Sequence, residues 1–134
     1  MNNETVENFA KYRLEKAKKT LQTAELIFNE VNDYTSANNR AYYAIFYAIR
    51  AVLALERIDF KRHKDVIAYF NKNYINKGIF PKTIGRKIAQ AQRIREDSDY
   101  DDEYQPSYEK TEQQIKTAKE LIQLVDQYIN ENHK

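Results

Sequence analysis

Few groups in this sequence are equipped for chemistry, and several common constellations are missing. There is no cysteine, so thiol nucleophiles, disulfides and thiolate metal sites are ruled out. Two histidines, His63 and His133, are too few for a histidine metal cluster. Gly78 and Gly85 are the two glycines, which leaves no glycine loop to cradle a phosphate. No paired carboxylates stand out as an acid–base couple. The acidic run from Asp97 to Glu103 lacks the ligand spacing of a calcium loop, so no metal and no other cofactor is expected. What remains is arginine, histidine and tyrosine in two short spacings. Arg95 is followed after four residues by Tyr100, and Arg57 after five by His63.

Charge is unevenly placed along the chain. The formal net charge is only +2, but residues 57–95 carry eleven basic side chains against Asp59 and Asp65. Residues 96–112 carry eight acidic groups against Lys110. The basic segment, which includes Arg62 and Arg93, could hold a phosphate backbone. The plainer alternative is that the two segments neutralise each other in the fold or across a dimer.

Helices must position these residues. The chain has 134 residues, enough for one domain with its own core, and two prolines and two glycines, so breakers are scarce. Apolar residues recur at threes and fours and never alternate, which predicts helices and no sheet. The first helix spans Asn3 to Asn29, with Val6, Ala10, Leu14, Ala17, Leu21, Ala24 and Phe28 on one stripe. A second spans Ser36 to Glu56, capped by Thr35 or Ser36. It is apolar nearly all round and rich in tyrosine, so it belongs at the bundle centre or also at a dimer seam. A short third helix spans Lys64 to Tyr74 and ends at Gly78, a natural left-handed cap. The fourth, Lys82 to Asp97, follows Pro81 and contains Gly85 as a mild cost or a close contact. Ser98 to Ser107 reads as an acidic loop, and the last helix spans Tyr108 to Asn130. No apolar run is long enough to cross a membrane, and Met1 to Thr5 shows no signal pattern, so a cytoplasmic protein is expected.

Three local patterns occur in a fixed order: Tyr12-Arg13-Leu14-Glu15-Lys16-Ala17, Asn39-Arg40-Ala41-Tyr42-Tyr43-Ala44-Ile45-Phe46, and Arg95 through Asp99-Tyr100. His63-Lys64-Asp65-Val66, Phe70 and Gly78 lie between the second and the third. This arrangement resembles the HEPN family (higher eukaryotes and prokaryotes nucleotide-binding domain), in particular a compact prokaryotic branch, from about Tyr12 to Ile129. The resemblance implies an all-α, antiparallel up-and-down four-helix bundle with an additional short helix. It also implies a homodimer, a minimal nucleotidyltransferase partner and a role in a two-component toxin–antitoxin module. Many members are metal-independent ribonucleases whose motif is arginine, four to six residues, then histidine, paired across the dimer. In that chemistry arginine neutralises charge on the phosphate under attack by the ribose 2′-OH, and histidine moves protons.

Here Tyr100 stands where the motif has histidine, and an ordinary phenol is a poor base at neutral pH. Two readings therefore stay open. In one, Arg95 acts catalytically with Tyr100 or His63, while Asn39, Arg40, Tyr43, Arg62, Arg93 and Asp99 contact RNA or nucleotide. In the other, the chain is a non-catalytic module that binds a nucleotide or its partner, with Tyr100 or Tyr104 open to modification. Each residue also has a structural role available. Arg95 could pair with Asp97, Asp99 or Asp101, Arg40 could reach the acidic loop, Asn39 could cap, and His63 could brace the third helix. Tyr100 could pack on the bundle end, and Tyr42, Tyr43 and Tyr47 could be core or dimer contacts.

Overall fold

The tyrosine-rich segment winds into one helix, α2 (Tyr34–Ala54), and the other elements are arranged around it. The computed structural model describes residues 3–101 and 103–132, so His133, and Asp102 of the acidic run, lie outside the described residues. The remaining elements are α1 (Asn3–Leu26), α3 (His63–Phe70), α4 (Lys82–Tyr100) and α5 (Tyr108–Asn132). Wide π turns prolong α1 over Ile27–Val31 and α3 over Asn71–Ile75. Among the described residues there is no strand, so the fold is the all-α bundle that the periodicity predicts. No helix of the described residues is long and apolar enough to cross a membrane.

The core follows the predicted stripes. Ala10, Leu14, Ala17, Leu21, Ala24 and Phe28 of α1 are buried, as are Ile115, Ala118, Ile122, Val125 and Ile129 of α5. Between them α2 buries Ala41, Ala44, Ala48 and Ala51 completely, along with Ile45, Ile49, Val52 and Leu53. Alanine at these positions lets neighbouring backbones approach, and each large aliphatic side chain beside them adds about 1.5–3 kcal/mol. Helix α2 packs against α1, α3, α4 and α5. Its place at the bundle centre thus accounts for most of its apolar surface, while Tyr43 and Tyr47 stay half-buried.

Local signals fix the turns. Asp33 rather than Thr35 or Ser36 caps α2, accepting from the Ser36 amide at 3.1 Å and the Ser36 hydroxyl at 2.6 Å. Those two bonds hold the Asp33 carboxyl below its usual range. Asn39, considered as a cap, lies farther along the helix. At the other end Arg57 adopts φ +60°, and Ile58 N–H reaches back to the Leu53 carbonyl at 3.1 Å. This is a Schellman turn with arginine where glycine is usual. Gly78, at φ +79°, closes the equivalent turn after α3, as expected.

Helix α4 is longer than its sequence suggests, running through Ser98 and Asp99 to Tyr100 before Asp101 ends it. No glycine or proline interrupts the acidic stretch before Pro106, and Arg95 and Asp99, one turn apart, pair at 3.6 Å. Gly85 proves to be a close contact. A Cβ there would lie 2.7 Å from Cγ2 of buried Ile75. Gly85→Ala should lower stability by about 1–3 kcal/mol in urea unfolding. Ile75→Ala in the same chain should recover part of that loss, because coupled neighbours are not additive. Strict additivity would show that this contact is not what excludes the methyl group.

Candidate Arg–His site

His63 opens α3 and Arg95 lies near the end of α4, so the chain carries them on separate elements. Both meet on the tyrosine-rich flank of α2. Arg95 Nη1 lies 2.6 Å from His63 Nδ1, and Arg95 Nη2 donates to the Tyr43 hydroxyl at 3.3 Å. The Arg95 guanidinium also lies over the rings of Tyr42 and Tyr43, at 4.6 and 5.2 Å. The Tyr42 hydroxyl approaches the same imidazole nitrogen at 3.4 Å. The other side of the cluster is apolar, for the His63 ring stacks on Phe46 with centroids 3.9 Å apart. Two donors converging on Nδ1 make it the acceptor, which places the proton of a neutral ring on Nε2.

The electrostatics agree with that state. Burial, then Arg95, then Arg50 push the His63 pKa below its ordinary 6.5, so the imidazole is neutral at physiological pH. Burial also opposes the charge on Arg95, but the Tyr42 phenol, Tyr43 and Asp99 outweigh it and its pKa is raised. Arg95 is therefore a fixed cation, with its side chain 25% exposed. Its buried Nε has no hydrogen-bond partner among the described residues, Asp99 staying 3.6 Å away. Burial raises the Tyr42 phenol, which keeps it protonated. The result is a neutral base, a permanent cation and an unspent donor in one place, a set suited to an anionic oxyester.

Two hollows flank the pair. Arg95 lines a polar pocket of 160 Å³ with Thr35, Asn38, Asn39, Tyr42, Ser98 and Asp99. His63 lines a wider groove of 400 Å³ with Phe46, Arg50, Asp59, Phe60 and Lys61.

Of the residues singled out from sequence, Arg95, His63, Tyr43 and Asp99 come together, with Asn39 on the pocket wall. Arg40 donates to Asn39 at 2.8 Å and lies over the Tyr43 ring at 5.0 Å, so it braces this edge, with no ion pair to the acidic segment among the described residues. Tyr100 ends α4 with 91% exposure rather than packing on the bundle. Arg62 pairs with Asp65 at 2.9 Å on the surface, and Arg93 is exposed on a face of α4 well round from Arg95. Tyr42 and Arg50 are members that sequence reasoning missed. Arg50 carried a readable signal, being a charge within the apolar half of α2 that must find a partner.

A helical bundle presenting an arginine and a neutral histidine over an aromatic helix face defines a class, and comparison with known proteins identifies it. The HEPN domain family profile matches residues 10–128, and the chain belongs to that family. A Methanocaldococcus jannaschii protein named "Putative toxin MJ0605" is 30% identical, covering 88% of this chain and 87% of its own. A Thermotoga maritima protein named as a UPF0332 protein is 26% identical, covering 93% and 94%. A second M. jannaschii protein with a toxin name, MJ0142, is 33% identical over 66% of this chain and 59% of its own.

The cation beside His63 has a measurable effect. In a proton NMR titration His63 should titrate below the ordinary 6.5, and Arg95→Met should move its midpoint upward. The native state resists protonation of this ring, so the unfolded chain takes up more protons as pH falls below 6.5. Stability from this group is present above that pH and declines below it. His63→Gln should flatten the decline in urea midpoints across that window. An identical pH profile in the variant would remove His63 as its source.

Proposed function

We propose that the chain is the toxin-type component of a two-component module and a metal-independent ribonuclease acting through Arg95 and His63. The observation that carries this reading is the 2.6 Å approach of the Arg95 guanidinium to a neutral His63. The toxin names of two relatives support it. A phosphodiester competes for Arg95 better than a neutral imidazole does, because a charge-assisted bidentate bond replaces a single contact. When Arg95 turns to the phosphate, the lone pair on Nδ1 is freed. His63 then takes the proton from the ribose 2′-OH, O2′ bonds to phosphorus, and the bond to O5′ breaks. The proton returns to the departing O5′, leaving a 2′,3′-cyclic phosphate and a 5′-hydroxyl. Arg95 meets the charge that builds on the phosphate oxygens. Asn39 and Asp99 line the pocket and Arg40 and Tyr43 brace its edge, while Arg62, paired with Asp65, and Arg93, on another face of α4, stay outside it. We place the protein in the cytoplasm as a homodimer with the two sites on one cleft.

Purified protein should cleave single-stranded RNA in the presence of a chelator. Arg95→Ala and His63→Ala should each lower the rate by roughly 100-fold to 10,000-fold. Equal cleavage by all three proteins, or none by any, would remove the reading.

One feature favours a second, non-catalytic reading, in which a nucleotidyltransferase partner modifies the protein. The Tyr100 phenol stands fully in solvent, while the Tyr104 hydroxyl is buried. Co-expression with a minimal nucleotidyltransferase from the same genome should then add a nucleotide mass that Tyr100→Phe loses and Tyr104→Phe keeps. An unchanged intact mass with no complex would count against it.

A further inference from the structure

The groove beside His63 holds more cationic character than the Arg95–His63 pair requires. Arg50 Nη2 donates to Asp59 Oδ2 at 2.6 Å, and Arg13 Nη2 shares the same oxygen at 3.4 Å. Asp59 Oδ1 accepts from the Phe60 amide at 2.9 Å, and Arg13 Nη1 also donates to the Arg50 carbonyl at 3.2 Å. One carboxylate thus faces two guanidiniums, and the cluster keeps a net positive charge. Arg50 Nε is buried with no hydrogen-bond partner among the described residues. Lys61, exposed on the rim, has no carboxylate partner among the described residues. Beside it, Phe60 is 38% exposed, its ring supported on the inner side by Tyr69 at 5.7 Å.

A cationic rim next to an exposed, backed aromatic ring is the combination that holds a single-stranded nucleotide, with phosphate on the cations and base on the ring. Apart from Arg95, the opposite hollow offers Asp99, two asparagine amides and three hydroxyls, which suit a sugar or base edge better than a second phosphate. We propose that the groove is a nucleotide subsite, in which Arg50 and Lys61 hold the phosphate next to the one at Arg95 and Phe60 stacks its base. Asp59 is a positioning residue, fixing Arg50 toward the groove while leaving the cluster positive. The subsite rests on the RNA reading above and names the part of the strand that this side of the site takes.

The test uses short single-stranded RNA methylated at every 2′-oxygen, which cannot be cleaved by 2′-OH attack, and follows binding by fluorescence anisotropy over a range of salt. Phe60→Ala should weaken binding roughly tenfold, and Phe60→Tyr should restore it. Lys61→Gln should weaken binding and flatten the slope of log affinity against log salt by about 0.7. Thermal melts followed by circular dichroism check folding, and if Phe60→Ala fails to fold, the Lys61→Gln slope decides. Wild-type affinity and slope in both variants would overturn the proposal, as would the absence of wild-type binding. Cleavage of unmodified RNA, run in parallel, separates the two ideas. Phe60-dependent binding without cleavage leaves the subsite standing and removes the ribonuclease. Cleavage with a KM indifferent to both variants removes the subsite and keeps the ribonuclease.

Discussion

A helix with apolar residues on every side must be covered on every side, and that constraint on α2 organises the molecule. The alanines at Ala41, Ala44, Ala48 and Ala51 set how closely neighbouring helices approach, and α1 and α5 supply complementary stripes. Covering α2 requires α3 and α4 to come to it as well. Most polar atoms on α2 are left at its margins, where Tyr43 and Arg50 are half-buried and the buried Tyr42 brings its hydroxyl to His63. Because α3 and α4 arrive at that same margin, His63 and Arg95 are brought together by hydrophobic packing, not by mutual attraction. Packing of this kind holds polar groups at distances that they would not choose in water.

That matters because a guanidinium and an imidazole are poor companions when both are charged. The conflict is resolved by keeping His63 neutral, with Phe46 covering its ring and two arginines disfavouring its proton. Arg95 in turn is steadied by aromatic faces and the Tyr43 hydroxyl, which leave the imidazole uncharged. The aromatic residues of α2 thus have two tasks. Their inner members fill the core, and their outer members hold a cation where no carboxylate neutralises it completely.

Much of this was legible in the sequence because it depends on periodicity. The stripes of α1 and α5, the centrality of α2 and the left-handed cap at Gly78 follow from spacing and residue type alone. The end of α4 was less legible. A run of acidic residues looks like a loop, and only the Arg95–Asp99 pairing across one turn shows how it continues as helix. The apolarity of α2 reports that its faces are covered but not by what, and within the chain α1, α3, α4 and α5 all pack on it. For the site, Arg95 and His63 were each visible, but in two separate local spacings. Their meeting depends on how α3 and α4 dock, which no short motif records. Tyr42 was hidden for a simpler reason, since a tyrosine whose ring packs and whose hydroxyl reaches a site looks the same as a core aromatic.

The Schellman turn at Arg57 has a consequence for how such a chain can change. It closes α2 at a fixed residue, and the segment after it carries Asp59, Phe60 and Lys61 before His63 begins α3. Asp59 is tied back to α1 and α2 through Arg13 and Arg50, so the segment has little slack at either end. A residue inserted or deleted there would turn His63 away from Arg95 without disturbing the core. Among relatives that keep this site, length variation is therefore expected to avoid this connection, even where its residue types drift.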